Sequence, residues 1–223
     1  MGDIAAFFDM DHTLTWQNSG LSSVRFARKL GLVSAAHLAR SMLKIILYRL
    51  SVLDIEKWYE KNMSMLSGTP VADIERFCSL WFDAVMRKAI YREAFDLVLH
   101  HRKSGHRVAI ISNSPPFFVN PVASALGIDD VICTRVELTD GVLTGRLVKP
   151  LCYGEGKRFY ALEWAGLTGI ELSRSYFYTD SIFDLPLMKT VGHPVAANPD
   201  MRLRKAALAS GWPIRYFRRV SAF

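Results

Sequence analysis

The chain has 223 residues, half of them hydrophobic and only 22% charged; this excludes an intrinsically disordered protein and leaves enough apolar side chains for a proper core. Its three cysteines, Cys78, Cys133 and Cys152, lie far apart with no CxxC pair, which argues against a disulfide framework and for a reducing, cytoplasmic setting. The formal charge of +7 favours anionic partners, but no zinc spacing or aromatic RNA-binding signature accompanies it, so no specific nucleic-acid partner is expected.

The first apolar run, DIAAFFD at residues 3 to 9, is short enough for a buried strand. Its acids, Asp3, Asp9 and Asp11, stand where a secretory leader needs a basic start and an apolar middle. From Ser19 to about Tyr91 the pattern turns helical. SGLSSVRFARKLG starts on serine and stops at Gly31, SAAHLARSMLKIILYRL follows from Ser34, and DIEKWYEKNMSML and PVADIERFCSLWFDAVMRKAI make two more helices. The longest apolar candidate, SMLKIILYRLSVL, is interrupted by Lys44 and Arg49 and is too short to span a bilayer.

Beyond Glu93 helices and strands alternate. EAFDLVLHHRKSG reads as a helix whose final His100 and His101 suit the helix dipole as imidazolium. HRVAIIS is a buried strand, PPFFVNPVASALG a helix that Pro121 should kink, and DVICTRVEL one further strand. LTDGVLTGRLV carries hairpin punctuation. EGKRFYALEWAG, RSYFYTD, IFDLPLMKT and GHPVAANPD continue as helix, strand, short helix and strand, before MRLRKAALASG and an edge strand PIRYF. The basic tail from Met201 onward reads as a solvated surface, with peripheral membrane-surface contact and non-specific nucleic-acid affinity as the alternatives. Strands separated by helices imply a parallel sheet with right-handed crossovers. The helical block after the first strand then lies over that sheet.

Ligands of open α/β sheets bind beyond the carboxyl ends of the strands. The first strand ends in Asp9-Met10-Asp11, the second in Ser112-Asn113-Ser114, and a later one in Thr179-Asp180-Ser181 with Asp184 one turn on; Lys157 lies just inside a helix between the last two. Carboxylates so gathered call for a cation, and hard oxygen ligands select magnesium. A carboxylate beside that cation can attack phosphorus, and a second, two residues on, can protonate the leaving oxygen. Ser112 and Lys157 can bond the phosphoryl oxygens. Ser114, ahead of Pro115, is read as the cap of the following helix.

These four segments, DMDHTLT, IISNS, the GK lysine and TDSIFDLP, together resemble the motifs of the haloacid dehalogenase superfamily of aspartate-nucleophile hydrolases. The helical block placed after the first motif is similar to the subclass that includes phosphoserine phosphatase (subclass IB). The resemblance implies a three-layer, Rossmann-like α/β core of residues 1–16 and 92–223 with an inserted C1-type helical cap of residues 17–91. It further implies Asp9 as nucleophile and Asp11 as general acid/base. Magnesium would be held by the Asp9 carboxylate, the Asp11 carbonyl and Asp180, with Asp184 and Thr13 supporting these from behind and Ser112, Asn113 and Lys157 around the phosphoryl group. His12 departs from the pattern, which often has glycine there, and Ser-Asn-Ser replaces a common Gly-Gly after the second-motif serine.

The function expected is magnesium-dependent hydrolysis of a small phosphomonoester, a metabolite or lipid headgroup, through an aspartyl-phosphate. Phosphoserine phosphatase proper and a non-catalytic binding protein of the same fold are the alternatives. Phosphoserine phosphatases place a glutamate nine residues after the nucleophile, where it meets the substrate ammonium; Asn18 occupies that offset here. Arg49 falls on the apolar side of its helix, among Leu38, Met42 and Ile45, and either snorkels or reaches the site. Asn18 and Arg49 are therefore the specificity candidates.

Overall fold

The structure, a computed structural model, describes residues 3–49 and 54–223, and side chains outside residues 44–53. β1 (Ala5–Phe8) is wholly buried, and its alternation explains why. Ala6 and Phe8 point into a layer shared with Val108, Ile110, Tyr178 and Val195, whereas Ala5 and Phe7 point into another with Ala109, Ile111, Phe177 and Ala196. A strand covered on both faces needs apolar residues at every position.

A block of four helices follows: α1 (Ser19–Lys29), α2 (Ala35–Arg49), α3 (Ile55–Ser64) and α4 (Val71–Trp81). The long helix expected from Pro70 onward changes character at Phe82, passing through a π turn (Phe82–Met86) and a 3-10 turn (Arg87–Ala89). The wider turn lets Trp81, Phe82 and Met86 all reach the core. The two chain segments joining this block to the sheet pair with each other. Trp16 N–H donates to the Ala89 carbonyl and Tyr91 N–H to the Leu14 carbonyl, each at 3.0 Å, around an antiparallel bridge between Thr15 and Ile90. Ala222 N–H adds a bond to the Ile90 carbonyl at 3.0 Å.

The sheet then forms from α5 (Arg92–Lys103), β2 (Arg107–Ser112), α6 (Pro116–Leu126), β3 (Asp130–Cys133), the hairpin β4 (Val136–Thr139) and β5 (Val142–Leu147), α7 (Glu155–Thr168), β6 (Tyr176–Thr179), α8 (Leu185–Met188), β7 (His193–Ala197), α9 (Met201–Ser210) and β8 (Ile214–Arg215). Its order is β3-β2-β1-β6-β7-β8, parallel throughout. Helix α6 runs through Pro121 as one element. Among the described residues no helix is long and apolar enough to cross a membrane.

Three local expectations are corrected. DVICTRVEL is two strands in two sheets, because the Thr134 side chain leaves the ladder: its hydroxyl donates to Asn113 Oδ1 and accepts from Cys152 N–H, both at 3.0 Å. The edge strand PIRYF pairs only at Ile214 and Arg215. His101 is not a solvated imidazolium. It is buried, with Nδ1 2.9 Å from His106 Nδ1 and Nε2 2.9 Å from the Tyr178 hydroxyl; burial first, then the neighbouring His106, pull it down to about 4, so it stays neutral.

Candidate active site

The acids gather at the carboxyl ends of the central strands because the ladder carries them there. Asp9 N–H still bonds the Tyr178 carbonyl at 2.9 Å, which fixes its backbone against the end of β6. Lys157 enters from the first turn of α7. A Cβ on Gly156 would lie 1.8 Å from the Leu151 carbonyl oxygen, so only glycine lets that turn press against the loop and aim the lysine inward.

Lys157 Nζ sits 2.7 Å from Asp9 Oδ1 and 2.8 Å from Asp184 Oδ2, with both lysine and Asp184 buried. Thr179 donates to the same Asp184 oxygen at 2.5 Å, and Ser181 caps the turn that carries Asp184. Burial disfavours the ammonium, but the Asp184 and Asp9 carboxylates outweigh it and hold Lys157 well above the usual amine range. Burial raises Asp9 to about 6; the lysine opposes and Asp184 adds to the rise. Asp180 is pushed well above the carboxylate range by burial, then by the charges of Asp9 and Asp184. One cation thus serves several acids, and the remaining negative charge has no partner among the described side chains.

Asp11 faces away from that lysine, toward the start of α1. Its Oδ1 accepts from Ser19 N–H at 3.0 Å, and its Oδ2 accepts from the Ser19 hydroxyl and the Asn18 amide, each at 2.9 Å. Burial and the Asp9 charge raise it to about 7, against the Ser19 bonds. Asn18 is the N-cap of α1, its Oδ1 accepting from Leu21 N–H at 2.9 Å. Both ends of its amide are therefore committed, one to the helix and one to Asp11.

The other sequence-derived residues fall as follows. Ser112 is buried at the end of β2, where its hydroxyl accepts from Ser114 N–H at 3.2 Å. The Asn113 side chain turns to Thr134. Thr13 is fully buried, its hydroxyl without a hydrogen-bond partner among the described residues. His12 takes φ +61°, the left-handed conformation that explains the usual glycine, and its carbonyl accepts from Asn198 Nδ2 at 3.0 Å. Arg49 closes α2, and its side chain lies outside the described residues. Ser114 does not cap α6: the cap position is Pro115, with no side-chain bond. The Ser114 hydroxyl instead lies 2.9 Å from that of Ser19.

Sequence reasoning missed Ser19, Thr179 and Tyr59. Tyr59, on α3, is pushed well above the ordinary phenol range by burial first, then by the charges of Asp11 and Asp9. Thr179 stood inside the TDSIFD motif, so its adjacency to Asp180 was visible; nothing in the sequence joins Tyr59 to Asp11 and Asp9.

A cation fits the donor set, since Asp180 and Asp9 repel each other where they stand. Among the described residues no three His, Cys, Asp or Glu side chains form a ready metal cluster. Asp9 and Asp180 offer two carboxylates, hard oxygen donors of the kind that would suit magnesium.

Known proteins of the same kind fit this arrangement. Residues 6–189 match the family of haloacid dehalogenase-like hydrolases. A probable phosphatase of Mycobacterium tuberculosis is 34% identical over 96% of this chain and 76% of its own length. A histidinol-phosphatase of Neisseria meningitidis is 31% identical over 96% of this chain and 98% of its own. Among solved structures, a Bordetella pertussis protein of unknown function superposes with a TM-score of 0.86 at 30% identity, covering 95% of this chain and 98% of that one. The four motifs and these matches have one meaning: the chain belongs to the haloacid dehalogenase-like hydrolases.

Proposed function

We propose that the protein is a phosphomonoester hydrolase that works through an aspartyl-phosphate on Asp9, with residues 17–91 acting as a cap over the site. The observation that carries this reading is the pairing of buried Asp9 with Lys157 at 2.7 Å. A lysine held there keeps one carboxylate oxygen oriented and neutralised, and leaves the carboxylate able to attack phosphorus in line. The match to phosphatases of other organisms supports it.

In the first step Asp9 forms a bond to phosphorus as the phosphorus–oxygen bond to the alcohol breaks. Asp11 gives its proton to the departing oxygen and becomes the carboxylate that Ser19 and Asn18 are placed to receive. In the second step Asp11 takes a proton from water as that water attacks the phosphoryl group, which restores Asp9. Lys157 and the rim donors around Ser112 balance charge on the phosphoryl oxygens. Magnesium, held by Asp9, Asp180 and the Asp11 carbonyl, would supply further positive charge. Asp184 keeps Lys157 in place.

The alcohol side of the substrate meets no carboxylate at position 18, because the Asn18 amide is spent on α1 and Asp11. The reading therefore favours alkyl phosphates that do not depend on a paired ammonium near the phosphate. A steady-state panel with added magnesium, including phosphoserine, histidinol phosphate and uncharged alkyl phosphates, tests it. Phosphoserine as the best substrate by kcat/KM would overturn the specificity reading; no turnover of any phosphomonoester would overturn the hydrolase reading.

A further inference from the structure

Helix α2 presents an apolar face to solvent. None of its described side chains, residues 35 to 43, is buried, and α1 is the helix it packs against. His37, Leu38 and Ser41 are its half-buried positions, and Ser41 spends its hydroxyl on the His37 carbonyl at 3.0 Å. Ala35, Ala36, Ala39, Met42 and Leu43 are exposed on the opposite side, with Arg40 at the edge of that face. The turn between the two helices adds Leu30 and Leu32, which are 51% and 65% exposed, and Leu43 is 56% exposed. A helix on the surface of a soluble domain does the reverse, with its apolar stripe inward and its charges out. Being the outside of a pair of helices, the patch is convex and offers no groove.

Charge identifies what can cover it. From His12 to Leu53 the chain holds six lysines and arginines and no aspartate or glutamate. Arg28 and Lys29 close α1 beside the turn and are exposed, as is Arg40. Two copies joined through this surface would set like charges against like. An anionic bilayer suits both halves of it: the alanines, methionine and leucines enter the headgroup boundary, while the cationic side chains stay with the lipid phosphates. Such a helix lies along the interface and needs no span, and among the described residues no helix could cross a membrane. We propose that the α1–α2 projection is a peripheral docking surface for anionic lipid bilayers. Helix α1 runs from the rim, where Ser19 N–H bonds Asp11, to the docking turn, and its 11 residues set the two about 16 Å apart. Docking therefore leaves the rim clear, and the proposal stands apart from the reaction assigned to the rim.

The test sediments the full chain with vesicles of phosphatidylcholine alone and of phosphatidylcholine mixed equally with phosphatidylserine. Binding to the mixed vesicles is expected to be about tenfold tighter or more, and to weaken as salt is raised. Replacing two leucines, Leu32→Ser with Leu43→Ser, should weaken it about tenfold, and Arg28→Gln with Lys29→Gln about as much. Arg204→Gln with Lys205→Gln removes equal charge from the exposed side of α9 and should change little. All three double variants should keep the wild-type thermal midpoint, which shows that they fold. Vesicle binding that ignores both the leucine and the Arg28/Lys29 variants, or that only the α9 variant weakens, would overturn the proposal. Heparin bound as tightly as the mixed vesicles, with no effect of the leucine variant on either, would overturn it too, as attraction to any polyanion without insertion. A dimer detected by sedimentation velocity and dissolved by the leucine variant would assign the face to a second copy instead.

Discussion

Asn18 donates its amide to Asp11 at 2.9 Å, seven residues back along the chain. A side chain at the position expected to select substrate is thus a partner of the residue proposed as acid/base. Asn18→Glu would therefore not create a phosphoserine enzyme: it would set a second carboxylate against Asp11. We expect losses of roughly tenfold or more on every substrate, phosphoserine included. A selective rise in phosphoserine turnover would contradict this geometry. Asn18→Ala should also cost about 1 kcal/mol of stability through the lost cap, read by urea unfolding.

Asp9→Asn keeps the shape but removes the oxygen proposed to attack phosphorus. Turnover should fall roughly 10⁴-fold or more, as when other enzymes lose their nucleophile. Lys157 retains Asp184 at 2.8 Å, so circular dichroism and the unfolding midpoint should show a folded protein. Near-normal activity would refute covalent catalysis by Asp9.

Lys157→Met leaves Asp9 and Asp184 buried together without their shared cation. Removing one partner of a buried ion pair costs about 3–5 kcal/mol, and urea unfolding at neutral pH should register a loss of that order along with the loss of activity. A stability change under 1 kcal/mol would mean that the carboxylates find other partners.

Asp9 and Asp11 are raised to about 6 and about 7 from 3.8 in the folded chain. Between pH 4 and 7 the folded state therefore holds protons that the unfolded chain has released. By linkage these two groups stabilise the fold fully below pH 4, and that contribution is lost as pH rises through 6 to 7. Magnesium should reverse the trend by favouring the ionised acids. Unfolding free energies at pH 5 and 8 should show added magnesium stabilising far more at pH 8, and chelation should abolish activity. Equal stabilisation at both pH values would argue against a site built on these carboxylates.

His101 works in the opposite sense. Its folded value of about 4 lies below the ordinary 6.5, so the unfolded chain binds the extra proton between those values and stability falls as pH drops through that window. Replacing His101 with glutamine should flatten this acid limb while leaving activity near wild type. An unchanged limb would place the sensitivity elsewhere, for instance at His106.

The candidate site was legible as a group because chemistry limits what can stand there: Asp9, Asp11 and Asp180 at strand ends and Lys157 in the first turn of α7 have no cheap packing explanation, and the structure brings Asp9 and Lys157 to 2.7 Å. The parallel sheet was legible for a similar reason, as runs such as AAFF and RVAIIS suit only a strand covered on both faces. What stayed hidden depends on registers set by distant contacts. Tyr59 comes under the charges of Asp11 and Asp9 only through the way α3 packs, which no local pattern carries. Ser114 looked like a helix cap because Ser-Pro usually is one, and the nearness of Ser19 is a property of the folded rim. Thr134 broke a strand for a hydrogen bond to Asn113 that no local pattern announces.

The paired segments at Leu14–Trp16 and Ala89–Tyr91 give the helical block an attachment unlike two loose threads. The two segments, bonded to each other at 3.0 Å through Trp16 and Tyr91 around one β-bridge, with Ala222 bonded alongside, make a short ribbon. A ribbon flexes readily across its flat face and resists shear in its plane. The block is held at a second place too, where Gly68 N–H bonds the Leu143 carbonyl at 2.8 Å and Leu143 N–H the Thr69 carbonyl at 3.0 Å, so it is tied both to the sheet's strand ends and to the hairpin.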